Sequence, residues 1–204
     1  MDRFLNLPPK KRTAIISAGL ESFGKNGYRK CSISDIARLA GIPKSMVFYY
    51  FNTKRQLYFY LIDFVRDTIV REIAAVELYS ELDFFERIRV ATDVKVAALG
   101  KTPSVVPFIK SFYFETDKEV VDGIKQRLTQ GFERSAKLAL TDIDRGKFKP
   151  GVDPDLVLTL LHNYTEGFMG KFQHQPGLDI AGVTAEFYRC LNMLRQNLYR
   201  EEYL

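Results

Sequence analysis

Apolar residues along this chain recur at helical spacing almost throughout. Ile15, Ala18, Gly19, Ser22 and Phe23 fall at i, i+3, i+4, i+7 and i+8, which is one face of a helix. Gly24-Lys25-Asn26-Gly27 ends that helix, and Gly27 suits a left-handed residue past its end. A second helix starts at Ser32, where Ser32-Ile33-Ser34-Asp35 has the capping-box form. Ile36, Ala37 and Ala40 supply its inner face. In Ala40-Gly41-Ile42-Pro43, Gly41 permits a sharp turn and the following proline forces Ile42 to be extended. Pro43 then opens a third helix. Val47, Tyr50 and Phe51 lie on one side of it, and Lys44, Ser45, Phe48 and Tyr49 on the other.

Thr53-Lys54-Arg55-Gln56 is a second capping-box candidate, opening a long fourth helix through Leu57, Leu61, Phe64, Val65, Ile69 and Ile73. Further helices are predicted over 83–99, 104–115, 118–144, 154–171 and 180–200, with breaks at Gly100–Pro103, Asp144–Pro154 and Gln175–Gly177. Asp153-Pro154 reads as an N-cap followed by proline at the first helical position. His174, in Gln173-His174-Gln175-Pro176, reads as a loop residue. No segment alternates cleanly enough for a strand. About nine helices with short connections make an all-α protein.

Composition changes this picture only in part. With 204 residues, 46% of them hydrophobic, the chain is long enough for a real core in one or two domains. No apolar stretch approaches the ~20 residues that span a bilayer, and Met1-Asp2-Arg3-Phe4-Leu5 lacks a signal-peptide layout. A cytoplasmic protein is the expectation. Cys31 and Cys190 form neither a disulfide framework nor a CxxC pattern, and two histidines leave little for a zinc site, so neither metal nor cofactor is expected. Charge is more informative. Residues 1–57 carry 11 Lys+Arg against 3 Asp+Glu, a balance of +8, and the rest of the chain is at −3. Concentrated positive charge is the footprint of a polyanion partner.

That basic region contains the glycine turn between two short helices, the layout of a helix-turn-helix. The outward residues of its second helix suit a DNA groove. Lys44 suits guanine or phosphate, Met46 and Phe48 suit a thymine methyl, and Ser45 and Tyr49 offer hydroxyls. Ser32, Ser34 and Lys54 sit at helix starts, where backbone N–H groups and the helix dipole favour phosphate. The candidate DNA-binding set is therefore Ser32, Ser34, Lys44, Ser45, Met46, Phe48, Tyr49 and Lys54. Against it stands a plain reading in which the aromatics are ordinary surface.

Ile15-Ile16-x-Ala18-x3-Ser22-Phe23-x3-Gly27-Tyr28, followed by Ser32-x2-Asp35-Ile36-Ala37-x2-Ala40-Gly41-Ile42-x-Lys44-x2-Val47-Phe48-x-Tyr50-Phe51-x2-Lys54-x2-Leu57, resembles the N-terminal domain of the TetR family. The resemblance implies DNA binding by residues 1–57 through a three-helix domain. It also implies an effector-binding and dimerisation domain over 58–204. The family commonly has Thr where Cys31 and Ser32 stand, Tyr at Phe48 and often His at Tyr49. Ser22 replaces a usual apolar residue. The segment from Asp144 to Pro154 resembles the connection before the family's eighth helix.

For the second domain, the candidate effector pocket is Phe108, Phe112, Tyr113, His162, Tyr164 and Phe168. Each aromatic has ordinary core packing as its alternative. Such a pocket takes a hydrophobic or aromatic small molecule, cationic ones included. The candidate homodimer interface is Leu160, Tyr164, Phe187, Leu191, Leu194 and Leu198, with packing inside one subunit as the alternative. A dimer of this kind binds a pseudo-palindromic double-stranded DNA operator. The expected mechanism is a repressor whose two heads reorient on effector binding, transmitted by the fourth helix. An activator or ligand-independent regulator on the same fold is the alternative. Catalysis is not expected: the sequence has no glycine-rich phosphate loop, GxSxG, HExxH or useful Cys–His pairing.

Overall fold

The computed structural model describes residues 2–172 and 179–204. Among them are ten α-helices: α1 Asp2–Leu5, α2 Pro9–Lys30, α3 Ile33–Ala40, α4 Lys44–Phe51, α5 Lys54–Ala74, α6 Phe84–Gly100, α7 Val105–Tyr113, α8 Val121–Leu140, α9 Pro154–Phe172 and α10 Ile180–Leu198. The described residues contain no strand beyond a single antiparallel bridge between Phe148 and Tyr199. The all-α expectation is therefore met. No described helix is long and apolar enough to cross a membrane. His174 and the break expected at Gln175–Gly177 lie outside the described residues.

Most expected helices appear within a few residues of their predicted ends, for local reasons. Asp153 accepts a hydrogen bond from the Asp155 amide (3.0 Å), so α9 starts at Pro154 as the N-cap reading requires. Thr53 caps α5 through the Gln56 amide at 3.1 Å. The element absent from the sequence reading is α1, whose single turn is held by packing rather than propensity. Phe4 is fully buried, with its ring 4.6 Å from Phe51 and 5.1 Å from Tyr60. The Arg12 guanidinium donates to the Leu5 carbonyl at 2.8 Å.

By packing, the chain divides into Met1–Thr68 with Leu99–Thr129, and Ile69–Ala98 with Gln130–Leu204. This is a division of packing, not of roles. It places α7 with the helices expected to read DNA, and α5, α6 and α8 each run across the boundary.

The first unit has an aromatic core. Phe23 meets Tyr58 at 4.8 Å, Tyr58 meets Phe108 at 5.7 Å and Phe108 meets Phe112 at 5.5 Å. Helix α7 lies directly on α2. A methyl group at Gly24 would come 3.0 Å from the Phe108 nitrogen, so any larger residue would push the two helices apart by a few tenths of an ångström. Gly27 behaves differently from the expected end of α2. Its φ of 67° and ψ of 177° break the helix, but one more turn follows to Lys30. Glu115 secures the break by accepting the Tyr28 N–H at 2.8 Å.

In the second unit Phe84, Phe85, Phe148, Val157, Leu161, Phe187, Leu191 and Tyr199 form the core. Two charged residues are buried beside it. Arg87, with no exposed surface, donates to the carbonyls of Glu81 (2.7 Å), Leu138 (3.0 Å) and Thr141. Asp83 accepts from Lys147 at 2.9 Å, from the Glu86 amide at 3.1 Å and from the Tyr199 hydroxyl at 3.3 Å. Burial pushes the Asp83 carboxyl up. The hydrogen bonds from Lys147 and the Glu86 amide, with the charges of Lys147 and Arg195, outweigh it and hold the group below the usual carboxylate range.

Candidate nucleic-acid interface

The turn between α3 and α4 is built as its residues dictate. Ser32 caps α3, its hydroxyl oxygen accepting the Asp35 N–H at 3.1 Å. That hydroxyl also donates to the Asp35 carboxylate at 2.8 Å. The cap is therefore closed side chain to side chain, and the hydroxyl proton is already used. At the other end Gly41 takes the left-handed conformation (φ 66°, ψ 33°), and its N–H reaches the Ala37 and Arg38 carbonyls. The Ile42 N–H bonds the Ala37 carbonyl at 3.0 Å, completing the turn. Pro43 is extended (φ −61°, ψ 144°) and acts as the N-cap of α4, so the first helical residue is Lys44 rather than the proline.

Helix α4 is two-faced. Val47, Tyr50 and Phe51 are buried. Lys44, Ser45, Phe48 and Tyr49 are exposed, and Met46 is half-buried. Burial of three side chains from an eight-residue helix fixes its rotation, and so fixes which residues face outward. Ser34, at the start of α3, is also exposed.

Three cations near this face already have partners. Lys54 is turned back over the Tyr28 ring, its Nζ 4.4 Å from the ring centre and 3.4 Å from the Arg29 carbonyl oxygen. Arg55 donates to the Glu119 carbonyl at 2.9 Å and lies over Phe59. Arg3, missing from the candidate set, lies over the exposed Tyr49 ring at 4.6 Å. Its position follows from Phe4, which anchors α1 beside α4. The signal in the sequence is Phe4 itself, the one aromatic in the short apolar stretch before Pro8-Pro9.

The effector candidates fall into different compact units. Phe108 and Phe112 are buried in the aromatic core of the first, with Tyr113 half-buried in the same helix. In the second, His162 stacks on Phe132 at 3.9 Å. Tyr164 meets Phe168 edge-on at 4.9 Å, with its hydroxyl 3.3 Å from Glu186. Of the dimer candidates, Phe187 and Leu191 are only 8% and 2% exposed and point into their own core, whereas Leu160 is 53% exposed. Leu194, Leu198 and Tyr164 are partly buried against that core. Leu156 and Met193 are exposed to 57% and 54%.

Comparison with known proteins agrees with this geometry. The family model for bacterial regulatory proteins of the tetR family matches residues 15–61. The chain is 33% identical over 192 residues to the HTH-type transcriptional regulator TtgR of Pseudomonas putida, covering 90% of this chain and 91% of that protein. It is 28% identical over 116 residues to the HTH-type transcriptional regulator BetI of Agrobacterium fabrum, about half of each chain (56% and 55%). Among solved structures, NalD of Pseudomonas aeruginosa superposes with a TM-score of 0.66 at 19% identity, covering 94% of this chain and 98% of that one. A basic head with a buried-and-exposed α4, and 33% identity to TtgR over 90% of this chain, lead to one assignment: this chain belongs to the TetR family of transcription regulators.

Proposed function

We propose that the protein is a ligand-responsive repressor that binds a pseudo-palindromic operator as a homodimer. The observation that carries the DNA reading is the outward face of α4, where Lys44, Ser45, Phe48 and Tyr49 stand free of the core and Arg3 lies over Tyr49. Met46 and Ser34 flank that face. Lys44, Met46 and Phe48 reach base edges, while Arg3, Ser34, Ser45 and Tyr49 contact phosphate. Ser32 and Lys54 already have partners in the free protein. They hold the turn and the start of α5 in place for docking.

Two observations favour a dimer built on α9 and α10. Leu156, Leu160, Asn163 and Gly167 share one exposed face of α9 at helical spacing. A side chain at Gly167 would meet open space. Met193 offers an exposed apolar residue on α10. The interface therefore centres on Leu156, Leu160 and Met193 rather than on Phe187 and Leu191. The effector is a small hydrophobic molecule that reorients the two heads through α5, and its site does not include Phe108 or Phe112. The solved-structure neighbour NalD is the secondary repressor of a multidrug efflux pump, and repression is the reading we adopt.

Selection of bound duplexes from random DNA, followed by a thermal-shift screen of hydrophobic compounds, tests this reading. Two inverted half-sites are expected, together with a stabilising compound that releases the DNA. Selection of no sequence, or binding as a monomer to a single half-site, contradicts it. Lower target expression when the gene is deleted contradicts repression in favour of activation.

A further inference from the structure

Helix α5 begins two residues after α4, with only Asn52 and Thr53 between them. The Asn52 N–H bonds the Phe48 carbonyl at 2.7 Å, and the Phe51 ring lies 5.4 Å from the Tyr60 ring on α5. The outward face of α4 therefore turns with the first turns of α5. Those turns are tied to the start of α8, which belongs to the same compact unit as far as Thr129.

The tie is a ladder of three rungs. Arg55, Phe59 and Asp63 stand four residues apart on one face of α5. They meet Glu119, Gly123 and Arg127, which have the same spacing. The Arg55 guanidinium donates to the Glu119 carbonyl at 2.9 Å. The Phe59 ring lies against Gly123, where a side chain would come 2.9 Å from Cε1 and nearer still to Cζ. Asp63 accepts from Arg127 through both carboxylate oxygens, at 3.1 and 3.2 Å. Each rung joins residues 64 apart, so the two helices run side by side in one direction and one register.

The middle rung sets the distance between the helices, because the bare backbone of Gly123 admits the ring. That ring has little room to step aside. The Arg127 guanidinium lies 4.2 Å from its centre and the Arg55 guanidinium 5.1 Å. Arg127 is itself held by the Gly123 carbonyl at 3.2 Å, and Arg66 bonds the same Asp63 carboxylate at 2.8 Å. The outer rungs set the register. A forked guanidinium–carboxylate pair fixes angle as well as distance, which an apolar seam alone does not.

We propose that Phe59, Asp63, Gly123 and Arg127 are positioning residues for operator docking. They touch no DNA, but they fix the tilt of α5 and with it the outward face of α4. This rests on the DNA-binding reading above and adds α8 to it as a second helix that steers the head.

The test measures the affinity of full-length variants for the duplex obtained by selection. Gly123→Ala should weaken binding about tenfold or more, and adding Phe59→Leu should restore it to within about threefold of Phe59→Leu alone, since the smaller side chain accepts the new methyl. The gain in helix propensity on replacing glycine opposes the strain, so the melting temperature should move by less than about 3 °C. Gly123→Ala binding within about twofold of the wild type, or a double variant no better than Gly123→Ala, overturns the assignment. Arg127→Lys is the independent check, because it keeps the charge and loses the fork. It should weaken binding about threefold, with the helical circular dichroism and the slope of affinity against salt unchanged. Wild-type affinity overturns the role of Arg127, and so does a slope reduced by about one contact, which would place it on a phosphate. A wild type that selects no duplex fails the DNA reading itself. A wild type that binds while the variants bind as it does fails the ladder alone.

Discussion

The two compact units of this protein are held together by different means. Among the described residues, the first buries aromatic and aliphatic side chains, with Ser22 its one buried polar residue besides tyrosines. The second buries Asp83 and Arg87 and ties its ends together through them. Apolar packing tolerates substitutions that keep volume and pattern. A buried charge with several partners tolerates almost none, because each removed bond leaves a polar group stranded. The lesson is that both units have apolar cores, but only the second also buries charged side chains, each held by bonds to residues far away in sequence.

The sharpest way to break this contrast is Arg87→Met. It keeps an unbranched side chain but strands the carbonyls that the guanidinium satisfies, and should cost about 3–5 kcal/mol in denaturant unfolding. Ser22→Ala, removing the buried polar group of the head, should cost at most about 1 kcal/mol. Similar costs for the two would remove the distinction.

The next effect is at α1. Phe4→Ala should cost about 2–3 kcal/mol, somewhat less than a fully enclosed phenylalanine because a terminal turn can fray and relax. It should also weaken operator binding, since Arg3 then loses its place over Tyr49. Retained affinity on a destabilised head would show that Arg3 plays no part in docking.

A smaller effect follows from Asp83. Its folded carboxyl lies below the ordinary value of 3.8. The stabilisation it provides is therefore complete above the ordinary carboxylate range and is lost as pH falls below about 4 through the lowered folded value. Asp83→Asn should flatten the acid limb of the stability profile, measured by thermal melting from pH 6 to pH 3. An unchanged acid limb would place the linkage on other carboxylates.

How far the sequence was legible follows the same division. The α3–turn–α4 segment could be read because every local choice agrees: a Ser32 cap, a glycine at the left-handed position, and an apolar face on each short helix. Helix α1 could not, since four residues carry no period and Phe4 gains its helix only by packing on Phe51 and Tyr60. Lys54 stands at the expected helix start, but the contact with Tyr28, twenty-six residues earlier, that turns its ammonium back leaves no mark in local sequence. In α10 the stripe of Phe187, Leu191, Leu194 and Leu198 is visible, yet periodicity is the same for a core and for a dimer face. Burial separates them, sending Phe187 and Leu191 inward and leaving Met193 outside. The bonds of Arg87 span more than fifty residues to Leu138 and Thr141, a separation at which patterns are silent.

The central claim is that the exposed face of α4 docks on DNA. The most direct test measures the affinity of the wild type, Lys44→Ala and Tyr49→Ala for a selected duplex across a range of salt concentrations. The wild type should lose roughly 0.9 log units of affinity per phosphate contact for each tenfold rise in salt. Tyr49→Ala should weaken binding to all sequences alike, and Lys44→Ala should also relax base preference at one position of each half-site. A flat salt dependence, or variants that bind as the wild type does, would contradict the claim.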